Sequence, residues 1–220
     1  MAEALPSPGY AADVPRPSIG FSIDVPDHWV VLDLNPRTWD DWLSAFLNQR
    51  LARQPGAKQE RGPARKALLE LLRQLHAEKV FMAAILAAEV GGGLFSASAT
   101  LAWRKIDVGG EGIPLAGLQE VYARAPAAPG ESLAERRVET VEIGVGGALK
   151  VSTRETVQLP SMAAARPVAI TQYFVPVLDT DWLAVITATT GNRPLEPGVE
   201  EVADTMAASL AFTPGATARN

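Results

Sequence analysis

The sequence of 220 residues contains no cysteine. This excludes disulfides, thiolate nucleophiles, iron–sulfur clusters and zinc sites built on cysteine. Its two histidines, His28 and His76, lie far apart in the chain and form no H-x-x-x-H pair of the kind that binds metal on a helix. We therefore expect no metal and no cofactor.

Long apolar runs and an excess of basic residues are also missing. The longest apolar run, Val80–Ala88, has about half of the roughly 20 residues that a membrane-spanning helix needs. The net charge of −5 argues against nucleic acid as a partner, because phosphate backbones attract a basic face. Residues 1–20 lack the basic start and apolar core of a signal peptide. We predict a cytoplasmic protein without membrane insertion.

Hydrophobic residues make up 47% of the chain, which is enough to build a folded core. Residues 1–18 contain four prolines and little periodicity, so we predict a disordered or extended arm there. Residues 19–213 are predicted to form a single α/β sandwich domain, and residues 214–220 a flexible tail.

The stretch GFSIDVPDHWVVLDL predicts two short strands, Phe21–Val25 and Trp29–Leu32, joined as a hairpin through a turn that contains Pro26. The alternative is one strand with a bend at that turn. Asn35 and Pro36 then favour a helix start, since Asn caps free N–H groups and Pro suits the first helical position. Apolar residues at spacings of three and four predict this helix to about Gln54 and a second from about Pro63 to Glu78.

Period-two patterns dominate the rest of the chain and predict three hairpins, at residues 80–106, 136–158 and 167–190. For the first arm of the first hairpin, residues 80–90, a helix is the alternative, because Ala and Leu favour helices. A short helix is predicted at residues 114–125 and a last helix at residues 198–209, followed by an edge strand. The fold class is therefore α+β, with a central antiparallel sheet of about six to eight strands flanked by helices on both faces.

The register of the middle hairpin follows from alternation. A three-residue loop, Val145–Gly147, would place Ile143 opposite Leu149 and Arg137 opposite Glu155. A two-residue Gly146-Gly147 turn would mix polar and apolar faces. We therefore predict the three-residue loop.

Asp24, Asp27, His28 and Asp33 form the one early cluster of acids and a base. General acid–base catalysis needs such groups to converge on one substrate. The turn residues around them favour solvated positions instead. The alternative hypothesis is an enzyme that uses Asp24, Asp27 and His28. It predicts that these three residues meet in a concave pocket with His28 partly buried.

Other enzymatic motifs are weak. Gly91-Gly92-Gly93 is not followed by the Lys-Ser/Thr of a phosphate-binding loop, and no serine stands in a G-x-S-x-G elbow. We assign no catalytic, cofactor-binding or metal-binding residue. Trp39, Trp42 and Phe46 share a helical face, which predicts core packing first and a partner surface as the alternative.

The order of elements adds a resemblance to a known family. The motif F-S-I-x-V-P-x-x-W (residues 21–29) comes early, and Q-Y-F-V-P-V (172–177), W-L-A-V-I-T-A-T-T (182–190) and S-L-A-F (209–212) come late. In these motifs residues 19–213 resemble uncharacterised actinobacterial members of the PsbP-like superfamily, which also holds a Ran-binding nuclear import factor. The resemblance implies a central sheet with helices on both sides and a binding or accessory role. It carries over no functional residue.

Our leading hypothesis is a non-enzymatic bacterial protein that acts through protein–protein contacts, as an accessory factor of a secretion or envelope system. One alternative is a small-ligand carrier with a cavity between the sheet and the Trp39/Trp42 helix. The other is a hydrolase-type enzyme that uses Asp24, Asp27 and His28. The protein partner is unknown, and a homodimer is left open.

Overall fold

The computed structural model describes residues 9–51, 57–90, 93–107, 113–127, 131–132, 135–157 and 165–213. Its helices and strands are, in chain order, β1 (Gly20–Ser22), β2 (Val30–Val31), α1 (Trp39–Leu51), α2 (Ala57–Ala77), β3 (Val80–Val90), β4 (Gly93–Lys105), α3 (Leu115–Arg124), β5 (Arg137–Ile143), β6 (Gly146–Val157), β7 (Arg166–Pro176), β8 (Trp182–Thr190), α4 (Glu196–Ser209) and β9 (Ala211–Thr213). The predicted tail, 214–220, and residues 1–8 of the predicted arm lie outside the described residues.

Seven strands form one antiparallel sheet in the order β2-β3-β4-β8-β7-β6-β5, and β1 pairs with β9 in a separate two-stranded sheet. The predicted α+β fold with an antiparallel sheet of six to eight strands is confirmed. The chain divides into two compact units, one made of Met1–Pro15 and Val31–Ala83 and the other of Arg16–Val30 and Ala84–Asn220.

The prediction that the opening stretch forms a hairpin is wrong. Phe21 on β1 lies opposite Phe212 on β9, whereas β2 is the edge strand beside β3. The turn around Pro26 is present, because the N–H of Trp29 donates to the Pro26 carbonyl at 2.9 Å. The pairing partner of β1 is at the far end of the chain, where no local pattern can indicate it.

In the first unit, α1 and α2 are present as predicted, with different starts. The Asn35 side chain accepts a hydrogen bond from the N–H of Arg37 at 3.1 Å, so the predicted capping residue acts one turn before α1. Pro63 lies inside α2 and does not start it. Trp42 and Phe46 stack with ring centroids 5.0 Å apart, and both are buried.

In the second unit, α3 and α4 cover opposite faces of the sheet. Leu149 and Val151 on β6 belong to a core cluster with Phe174, against which residues of α3 pack. Lys150 lies between them in sequence and reaches the acids of α4. Since successive strand residues point to opposite faces, the two helices lie on the two sides of β6.

The predicted register of the β5–β6 hairpin is also wrong. Ile143 lies opposite Gly146, and Arg137 lies opposite Ser152. The turn is therefore made by residues 144–145, and Gly146 follows it with a φ of +120°. The prediction assumed that β6 has one apolar face. Because helices cover both faces of this strand, alternation alone cannot select the register.

Candidate functional site

A concave surface of about 300 Å³ lies in the second unit, on the face of the sheet that α4 covers. Most of its lining side chains are charged or carry hydroxyls. We name it the groove, and the lining residues used below are Glu135, Arg137, Ser152, Arg154, Ala169, Thr171, Glu196 and Glu200. The strands β5, β6 and β7 supply its floor, and the first turns of α4 supply one wall.

Arg154 is the most strongly paired cation of the groove. Its guanidinium donates to Glu196 on α4 at 2.5 Å and also to Glu135, and its side chain is 30% exposed. The hydrogen bond to Glu196, together with the charge of both carboxylates, raises the pKa of Arg154 above its ordinary value. This arginine is fixed in its charged form between two acids.

Lys150 forms a second paired cluster beside the groove. Its amine lies 2.9 Å from Glu200 and 2.7 Å from Asp204, and its side chain is 12% exposed. Burial lowers the pKa of Lys150, but the bonds to Asp204 and Glu200 outweigh this effect, and the net change is a rise. Tyr173 donates to the same Asp204 oxygen at 2.7 Å.

Tyr173 is 4% exposed, and its environment holds the phenol in the neutral form. Burial raises the pKa of Tyr173, and the hydrogen bond to Asp204 and the nearby acids add to the rise. The pKa values of Lys150, Arg154 and Tyr173, which ordinarily lie above neutrality, are therefore all raised further. Their charge states do not change near pH 7.

Arg137, Ser152 and Thr171 form a row across three neighbouring strands. Arg137 on β5 lies opposite Ser152 on β6, and Ser152 lies opposite Thr171 on β7. Directly opposed residues of an antiparallel pair share a face, so all three side chains lie on the groove side. We name this set of one arginine and two hydroxyl-bearing residues the hydroxyl row.

A separate ion pair, Arg136 with Glu131, lies next to the start of β5. Arg136 donates to both carboxylate oxygens of Glu131 at 2.5 Å, and these side chains are 9% and 4% exposed. The same guanidinium donates to the carbonyls of Tyr122 and Ala125 at the end of α3. Arg136 thus ties α3 to the start of β5, which is a structural role.

The structure does not bring the early candidates together in a pocket. Asp24, Asp27 and His28 are exposed, and Asp27 and His28 lie in a turn. Among the described residues, none of the three lines the groove. The hydrolase alternative required a concave site with His28 partly buried, and that requirement is not met.

Asp33, the fourth member of the early cluster, is a buried structural acid with 2% exposure. Its carboxylate accepts hydrogen bonds from the N–H of Gly9 at 3.1 Å, the N–H of Asn35 at 2.9 Å and the Thr38 hydroxyl at 2.5 Å. It therefore fastens the segment around Gly9 to the turn that precedes α1.

The three aromatic residues of α1 differ in exposure. Trp42 is 1% exposed and Phe46 is 8% exposed, so neither ring is open to a partner. Trp39 is partly buried and meets His76 edge-on, with ring centroids 5.9 Å apart. Trp42 and Phe46 therefore pack in the core, as their spacing in the helix predicted.

Reasoning from the sequence missed the groove, although one signal for it was present. Glu196, Glu200 and Asp204 recur at every fourth position of the last helix and so share one face. Lys150 and Arg154 share one face of β6, because they are an even number of residues apart. An acidic helix face and a basic strand face together indicate a charged contact between the two.

No protein-family model matches the chain. No curated protein matches it by sequence. Among solved structures, it is similar to LpqN of Mycobacterium tuberculosis, described as involved in cell envelope biogenesis, at 12% identity and a TM-score of 0.47. The similarity covers 89% of this chain and 84% of the LpqN chain, and at this identity it says nothing about function.

Within the described part of the chain, no group of three or more His, Cys, Asp or Glu side chains is placed to hold a metal ion. Over the same residues, none of the helices combines the length and the apolar character that crossing a membrane requires.

Proposed function

We propose that the protein is a non-enzymatic binding protein that holds a segment of a protein partner in the groove. The observation that carries this proposal is the pairing of the charged groups in and beside the groove. Arg154 is held by Glu196 and Glu135, and Lys150 by Glu200 and Asp204. Such an array presents fixed charges at fixed positions, which suits recognition.

A group that transfers protons needs a different pKa from a group that only holds a charge. A general acid or base works best when its pKa lies near the working pH, so that both protonation states are populated. The pKa values of Lys150, Arg154 and Tyr173 are raised from values that already lie above neutrality. These groups are therefore suited to hold a partner and poorly suited to exchange protons with a substrate.

The polar lining and the exposure of the groove, and not its size, favour a protein segment over a metabolite. Sites for small molecules usually have about 300–1,000 Å³ and a mainly apolar lining that buries most of the ligand. The groove has about 300 Å³, and Arg137, Glu135 and Glu200 stand at its surface with side chains 62%, 43% and 32% exposed. Open polar surfaces of this kind are typical of the rims of protein interfaces.

The test is a variant that fills the groove without changing its charge. Ala169→Trp adds a ring on β7 within the groove, and Ala123→Trp adds the same ring at an exposed position of α3. Wild type and both variants, each shown to be folded by thermal unfolding, are immobilised and exposed to native lysate. A retained protein is then purified, and its dissociation constant is measured for each variant.

We expect the partner to bind wild type and Ala123→Trp equally and to bind Ala169→Trp at least about tenfold more weakly, because the ring occupies its place. Retention of no partner, or equal binding by Ala169→Trp, would contradict the proposal. Turnover of a general hydrolase substrate panel by the wild type would contradict its non-enzymatic part.

The remaining expectations stay predictions. These are PsbP-like membership, the cytoplasmic location, the link to a bacterial secretion or envelope system, and the ligand-carrier alternative. The first is supported by the order of elements and by the motifs around Trp29 and Pro176. A homodimer also stays open, and analytical ultracentrifugation of the purified chain tests it.

A further inference from the structure

Two members of the hydroxyl row, Ser152 and Thr171, carry hydrogen-bond donors that no described residue uses. Ser152 and Thr171 are each 7% exposed, and among the described residues neither hydroxyl has a hydrogen-bond partner. Both residues line the groove. The two hydroxyl oxygens are not enclosed by the protein, so they can be reached from the groove. Two neighbouring hydroxyls are therefore available to a ligand that enters the groove.

Arg137 completes the row with a charged donor that is weakly engaged. Its side chain is 62% exposed, and its ion pair with Glu200 has an N–O distance of 3.5 Å. Glu200 has a shorter contact, at 2.9 Å, with Lys150. If a ligand took the guanidinium of Arg137, Glu200 would keep its lysine, and no acid of the groove would lose its closest cation.

The spacing of the row fits one small planar anion. Neighbouring strands lie about 4.8 Å apart, so a carboxylate above Ser152 is within reach of both adjacent strands. A guanidinium binds a carboxylate with two parallel hydrogen bonds, and hydroxyls donate to the remaining lone pairs. Glu135, Glu196 and Glu200 line the same groove, and their charges disfavour a doubly charged phosphate more than a singly charged carboxylate.

We infer that Arg137, Ser152 and Thr171 recognise the carboxylate of an aspartate or glutamate side chain in the partner segment. This inference rests on the proposed function and adds to it the chemistry of the contact. The partner segment presents an acidic side chain to the row, and the floor at Ala169 receives the neighbouring part of the segment.

The experiment uses a glutamate blocked at both ends, so that its side chain is the one carboxylate, as the probe. It is titrated into isotope-labelled full-length protein and followed by NMR of the backbone amides. We expect shifts at Arg137, Ser152 and Thr171 that saturate, with weaker effects from blocked glutamine and inorganic phosphate. Arg137→Gln should weaken binding of the probe by about tenfold or more, because one charged, hydrogen-bonded contact is lost.

Arg124→Gln is the matched control, because it removes the same charge from an exposed position of α3 that pairs with Glu120. It should titrate like wild type. The double variant Ser152→Ala/Thr171→Val, which keeps Arg137, should weaken binding of the probe several-fold. Equal shifts with blocked glutamine, stronger binding of phosphate, or wild-type titration of Arg137→Gln would overturn the inference.

The two proposals fail in different ways. If the partner is lost by Ala169→Trp but binds Arg137→Gln as tightly as wild type, the groove is the binding site and the carboxylate inference alone is wrong. If Ala169→Trp binds the partner normally, the proposed function itself is wrong.

Discussion

Lys150 on β6 and Asp204 on α4 are joined by a contact of 2.7 Å between Nζ and Oδ1, which links the sheet to the helix that covers it. Tyr173 on β7 donates to the same carboxylate oxygen. One side chain of α4 therefore satisfies polar groups on two neighbouring strands. These polar groups are largely buried, so their loss should be measurable as stability.

Asp204→Ala should lower the free energy of unfolding by about 1–3 kcal/mol, because it removes a charged partner of Lys150 and leaves the Tyr173 phenol unpaired at 4% exposure. The measurement is urea denaturation followed by circular dichroism. Glu201→Ala, at an exposed position of the same helix, is the control and should change stability by less than about 0.5 kcal/mol. Equal effects of the two changes would show that the contacts of Asp204 with Lys150 and Tyr173 contribute nothing to the free energy of unfolding.

Asp33→Ala should destabilise the first unit by about 2–4 kcal/mol, because the N–H groups of Gly9 and Asn35 and the Thr38 hydroxyl lose their acceptor. Amide hydrogen exchange at Gly9 and Asn35 measures this directly and should speed up. Asp27→Ala is the control, since Asp27 is exposed in a turn. If Asp33→Ala left both exchange rates unchanged, the anchoring role of Asp33 would be wrong.

The strands and helices were largely predictable, because periodicity is a local property of the chain. Residues 167–190 were predicted as a hairpin, and β7 and β8 are paired along it. Partners that are distant in sequence were not predictable. The pairing of Phe21 with Phe212 depends on the complete fold and leaves no mark on either segment alone.

The groove was missed for a related reason. Its hydroxyl row is visible only when Arg137 is placed opposite Ser152, and the register predicted from alternation placed it opposite Glu155. Alternation failed because Leu149 packs toward α3 while the neighbouring Lys150 reaches α4. A hairpin covered by helices on both faces can bury apolar residues on either side, so alternation does not fix its register.

Glu155→Gln should make the protein more stable at pH 7. Burial raises the pKa of Glu155 and the charge of Glu131 adds to the rise, while Arg136 partly opposes it. The folded state therefore holds the Glu155 proton more tightly than the unfolded chain does, and ionising the group costs stability. That cost is absent below the unfolded pKa of about 4.3 and grows as pH rises through the folded pKa.

The check is the difference in thermal midpoint between Glu155→Gln and wild type, measured at pH 7 and at pH 4. We expect a positive difference at pH 7 that shrinks toward zero at pH 4. Glu142→Gln, at an exposed position of the same hairpin, should show little difference at either pH. A variant that is less stable than wild type at pH 7 would show that attraction to Arg136 outweighs burial.

Gly146→Ala and Gly198→Ala make the same chemical change and should have opposite effects. Gly146 has a φ of +120°, which L-residues rarely adopt, whereas Gly198 lies in the first turn of α4. An added Cβ meets no atom within 4 Å at either position, so backbone preference alone decides the result. Gly146→Ala should cost about 1–2 kcal/mol in urea unfolding, and Gly198→Ala should be neutral or stabilise by up to about 1 kcal/mol. Stabilisation by Gly146→Ala would place the turn of this hairpin elsewhere and, with it, remove Arg137 from its position opposite Ser152.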